Sequence, residues 1–91
     1  MSNMKLYIVH VGYYDYSVGI YELHSNILVA AQSAESAKNN VKNRKTFQDK
    51  QMHIDGICEV TNVDGYQIQL VSTDVQVNNK QYGYSEVKSM G

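Results

Sequence analysis

Ninety-one residues make one domain, long enough to bury about two-thirds of its unfolded surface around a thin core. A hydrophobic content of 43% excludes a disordered chain, and a formal net charge of −1 supplies no field that would select nucleic acid or an anionic membrane. One cysteine, Cys58, excludes an internal disulfide, and the early apolar run, broken by His10, is too short to span a membrane. The expectation is a soluble cytoplasmic protein with no membrane contact. There are eight tyrosines against one phenylalanine and no tryptophan, a bias towards half-exposed sheet faces and interfaces.

The stretch KLYIVHV (5–11) is apolar on both alternating faces. Leu6, Ile8 and His10 share one side, and Tyr7, Val9 and Val11 the other. That pattern predicts a central strand covered on both sides. Gly12 is expected to end it, before a tyrosine-rich loop that reaches Gly19. In 20–24, Ile20, Glu22 and His24 alternate with Tyr21 and Leu23, as in a second strand. Ser25-Asn26 reads as a turn, and 27–32 as a further strand or the continuation of this one.

Ser33 is a suitable N-cap with Glu35 in the first turn, so a helix is predicted over about 34–46. Ala34, Ala37 and Val41 form its apolar face, extended by Phe47, while Lys38, Lys42 and Lys45 line the opposite one. A stripe of this kind is what any solvated helix face presents, and with an acidic pI it does not argue for nucleic acid.

Residues 51–72 read as strand, turn and strand. A three-residue Val63-Asp64-Gly65 loop pairs Val60 with Ile68 and Cys58 with Leu70, keeping apolar residues opposite one another on an inner face. A two-residue Asp64-Gly65 turn would set apolar against polar, so the longer loop is expected. Asp64 and Gly65 are then turn residues with no other role. Residues 73–91 form a polar extension to a domain spanning 1–72. The Val75/Val77 alternation suits a short edge strand, with a frayed end beyond it.

The predicted order is strand-strand-helix-strand-strand, an α+β two-layer domain with an antiparallel sheet of about four strands and one helix. One helix covers one face of such a sheet, whereas the first strand is apolar on both. A second copy of the chain is the simplest cover, and a homodimer is the expectation.

The sharpest polar constellation is Glu22, His24, His53 and Asp55. Residues two apart on a strand point the same way, so each pair sets a carboxylate beside an imidazole. Such pairs can hold a histidine tautomer for proton transfer or supply ligands to zinc or another divalent ion. They can equally orient a turn or fill a dimer seam. There is no His-Glu-x-x-His or Cys-x-x-Cys pattern, so no metal or other cofactor is assigned. His10, between aliphatic residues, reads as a core or interface histidine, and Cys58 as an inert buried thiol.

Glu22-Leu23-His24, His53-Ile54-Asp55 and Val63-Asp64-Gly65-Tyr66, in this order with a short helix between the first two, resemble the bacterial domain of unknown function 1543 family. The resemblance covers roughly residues 5–71. It implies a small domain, sometimes present in tandem within one chain, and no particular reaction. The loop at 13–18 departs from the family pattern, with tyrosines and Asp15 where glycine and arginine are expected. The reading favoured by the sequence is a module that associates with itself or with a protein partner. The alternative is a small-ligand or divalent-metal site, enzymatic or not, built from the same four side chains.

Overall fold

The stretch that is apolar on both alternating faces becomes the middle of a three-stranded antiparallel sheet. In the computed structural model, which describes residues 3–17, 19 and 21–91, β1 (Lys5–Tyr14) lies between β2 (Glu22–Ala31) and β3 (His53–Val60). Both ladders are antiparallel, with Leu6 opposite Ala30 on one side and Val60 on the other. Between β2 and β3 come α1 (Ala34–Lys42) and α2 (Lys45–Asp49). After β3 follow a short ribbon of β4 (Asn62–Val63) and β5 (Tyr66–Gln67), and finally α3 (Tyr84–Ser89).

The α+β character is as expected, but among the described residues the main sheet has three strands rather than about four, and there are three helices rather than one. β1 does not stop at Gly12, nor does Ser25-Asn26 turn the chain. Ser25 pairs with Val11 and Asn26 with His10, so the ladder carries both polar residues and 22–31 is one strand. Val18 and Ile20, expected in the loop and at the start of the second strand, lie outside the described residues.

Tyr7, Val9 and Val11 of β1 pack with Val29 and Ala31 of β2 against Ala37 and Val41 of α1. Ile27, Phe47, Met52, Ile54 and Ile57 close the rim of this core. The Ser33 hydroxyl accepts from the Ser36 N–H at 3.1 Å, the side-chain cap that starts α1. The helix ends at Lys42, earlier than expected. A break at Asn43-Arg44 lets Phe47 of α2 reach the core from a different direction. Burial, reinforced by the Glu59 carboxylate at 3.3 Å, raises the Tyr7 phenol above the ordinary tyrosine range.

The hairpin register is the second correction. Asn62 pairs with Gln67 and Val63 with Tyr66, so the turn is the two-residue Asp64-Gly65, both at positive φ (53° and 83°). That is the type I′ geometry whose twist matches the flanking strands. The ribbon is exposed on both sides, so no buried face enforces like-with-like pairing, and the turn decides the register. Ile68 accordingly donates its N–H to the Thr61 carbonyl at 2.8 Å rather than pairing with Val60.

Cys58 is also placed differently. It is exposed and lies opposite Ile8, on the face of the sheet away from α1. This outer face carries Leu6, Ile8 and Val60, all half-buried, and Leu28, which is 63% exposed. Ile68 and Leu70 fold back beside Met4, Leu6 and Val60 to line a shallow cleft at one end of it. Beyond Leu70 every residue is exposed, no strand forms at Val75 and Val77, and the chain ends in α3.

Candidate metal-binding site

The outer face holds the chemistry at its other end. Gly12 of β1 pairs with His24 on one side and His53 on the other, while Glu22 sits at the start of β2 opposite Tyr14. Register alone therefore brings the side chains of two edge strands over a residue that has none.

Asp55 arrives by a different device. Gly56 pairs with His10 and Ile54 with the next residue, Val11, so Asp55 is the extra residue of a β-bulge. The bulge lets Ile54 and Ile57, three apart, both face the core. It also sets His53 and Asp55 on the same face as Cys58, which strict alternation would have put on the opposite one.

The approach to β3 is fixed just upstream. At the end of α2, Gln51 takes a left-handed conformation, with φ at 49°. Its N–H bonds to the Gln48 carbonyl at 3.2 Å, and the Met52 N–H reaches the Phe47 carbonyl at 3.0 Å. These two bonds are those of a Schellman motif. It turns the chain so that Met52 packs on the core and His53 enters the sheet.

In the resulting cluster His53 Nε2 lies 2.8 Å from Glu22 Oε1 and 3.2 Å from Asp55 Oδ1. The other oxygen of Asp55, Oδ2, is 3.3 Å from His24 Nδ1. His24 in turn stacks on His10, with ring centroids 5.0 Å apart and planes within 7°. His10 Nδ1 donates to Asn26 Oδ1 at 2.8 Å. The structure thus brings Glu22, His24, His53 and Asp55 together, and it adds His10. Asp64 and Gly65 stand apart, in the ribbon turn.

These side chains remain between one-third and one-half exposed, so the cluster opens to solvent. Its floor is Gly12, which is buried. A Cβ there would stand 2.6 Å from His53 Nε2, 2.7 Å from Glu22 Oε1 and 2.8 Å from Asp55 Oδ2. Only glycine lets the three groups close over the strand.

His10, read from the sequence as a core or interface histidine, and Gly12, read as the end of the strand, both lie at this cluster. The signal was present in His10-Val11-Gly12, which sets an imidazole and a gap on one face. Its use required knowing that both β2 and β3 pair across that point. On the opposite face of β1, Lys50 Nζ lies 4.9 Å from the Tyr13 ring centroid, and at the strand end Tyr14 stacks on Tyr16. Ser17 donates both its N–H and its hydroxyl to Asp15 Oδ1, which lowers the Asp15 carboxyl below its usual range.

A family model described as Domain of Unknown Function (DUF1543) matches residues 19–70. The chain belongs to that family. The DUF1543 match contains Glu22, His24, His53 and Asp55, whereas His10 and Gly12 lie before it. No curated protein and no solved structure matches the chain. Among the described residues, no helix is long and apolar enough to cross a membrane.

Proposed function

We propose that this DUF1543 chain is a small divalent-cation-binding module whose first cation is held by Glu22, His53 and Asp55, beside His24. The observation that carries this reading is the spacing of the donor atoms. Two ligands at tetrahedral bonding distance from zinc stand about 3.3 Å apart. The imidazole–carboxylate separations of 2.8 and 3.2 Å around His53 are near that value, as is the 3.3 Å between His24 and Asp55. Two carboxylates supply negative charge at the same point. The mixture of nitrogen and oxygen donors suits zinc, manganese or iron over calcium, which takes oxygen alone. Protons compete for these donors, so affinity falls on acidification. An open outer face leaves a bound cation reachable by water or a small ligand.

Calorimetric titration of the full chain with zinc chloride tests this directly. Saturable uptake is expected, weakened at least about 100-fold in Asp55→Asn and His53→Ala while the amide NMR spectrum stays that of a folded protein. Unchanged uptake in both variants, or none in the parent chain, would remove the proposal.

A second reading rests on the same face. Leu28 is 63% exposed beside half-buried Ile8, on the face of the sheet away from α1. We infer that a second copy of the chain covers this patch, giving a homodimer, and we place the protein in the cytoplasm because it has one exposed, unpaired thiol. Light scattering at tens of micromolar should give twice the chain mass and revert to one chain in Leu28→Asp. A single-chain mass for the parent would dismiss the dimer and leave the cation site untouched.

A further inference from the structure

The cluster contains two donor sets, and they meet at one residue. Glu22, His53 and Asp55 form the first, and His10, His24 and Asp55 the second, with all candidate ligand atoms within 4.8 Å of one another in each set. We propose that the site is dinuclear, with Asp55 bridging a first cation at Glu22 and His53 and a second at His10 and His24. This rests on the cation-binding reading above and extends it.

Three features carry the inference. The Asp55 carboxylate is divided between the sets, with Oδ1 towards His53 and Oδ2 towards His24. A carboxylate divided in this way can bridge two cations through its two oxygens. Asp55 also occupies the bulge, the only position of β3 whose side chain is freed from the pairing register, and it stands between the two sets.

The third feature is the state of His10. Its Nδ1 is engaged by the Asn26 carbonyl oxygen at 2.8 Å, which fixes the tautomer and leaves the lone pair on Nε2. An imidazole anchored through one nitrogen by an amide or carboxylate oxygen is the usual arrangement of a metal-binding histidine. His24 stacks against His10 with the planes within 7°, so the two imidazoles are neighbours, and a rotation of one ring about χ2 would turn both towards a shared cation. His10 is half-buried on the outer face, where its ring is within reach of the cluster.

The two positions cannot be equal. The second cation shares its only carboxylate with the first and meets that cation's charge at short range, so it binds more weakly. Loading is therefore stepwise. The first cation goes to the set with two carboxylates, and the second completes the pair.

Native mass spectrometry and calorimetry of the full chain with zinc chloride, with manganese chloride as a paramagnetic probe, test the second position. Two equivalents per chain are expected, in two steps. His10→Ala should lose the weaker step and keep the tighter one within about threefold, because His10 touches only the second set. His10→Asn is run beside it, so that a folding defect in one variant leaves the other to report. Glu22→Gln should weaken the tighter step, and Asp55→Asn both. The manganese spectrum of the parent chain at two equivalents should show spin–spin coupling, absent in His10→Ala. One equivalent in the parent chain, or two retained without change in both His10 variants, overturns the dinuclear site while the single-cation reading stands. No uptake at all overturns both.

Discussion

At the scale of the residue, Gly12 shows how an absence of side chain can build a site. The tips of His53, Glu22 and Asp55 occupy the space where its Cβ would be, and tips of long side chains can swing away at little cost to the fold. Gly12→Ala is therefore expected to keep its denaturation midpoint, with stability changed by less than about 1 kcal/mol, since alanine in a strand also restricts the unfolded chain. Zinc affinity should fall by at least about tenfold in the same variant, because the donors can no longer close over the strand. Equal affinity would show that the cluster assembles without that floor. The two carboxylate–imidazole pairs were legible in the sequence because a strand has a period of two, and their convergence was not. It depends on which residues of β2 and β3 stand opposite Gly12, and that is fixed by the ladders on both sides of β1.

Elements differ in how much of their form is written locally. β1 was legible as the central strand from its two apolar faces, and α1 from the Ser33 cap and the Ala37–Val41 stripe. The hairpin register was not, because cross-strand likeness was weighed for a ribbon that buries neither face. The end of α2 is a case of local preference overruled. A left-handed residue there is ordinarily glycine, and Gln51 occupies it because both Schellman bonds and the docking of Met52 hold the turn in place. Gln51→Gly should stabilise the protein by up to about 1 kcal/mol in urea denaturation, since glycine meets no steric penalty at that φ. A loss of stability would mean that the glutamine side chain contributes more than the strain it tolerates.

The molecule as a whole is larger than its core. The radius of gyration of the Cα atoms is 16.0 Å, against about 12–13 Å for a closely packed chain of this length. Residues 71–91 are exposed throughout. A chain ending at Ser72 should therefore unfold within about 0.5 kcal/mol of the full one, as surface segments without core contacts contribute little. A larger loss would reveal that the tail packs on the domain. The sequence marked this segment by its polarity, but the helix at Tyr84–Ser89 was hidden in it, because six residues with no buried face leave no apolar period to read.

The sheet would close perfectly well with one residue fewer. If Asp55 were deleted, His53, Ile54, Gly56 and Ile57 would follow one another opposite Gly12, Val11, His10 and Val9, every side chain already on its own side. Nothing in the packing asks for the surplus amino acid, and what it supplies is a carboxylate set where two pairs of donors meet. The shortened chain should fold at least as firmly as the parent in thermal melts and take up no zinc.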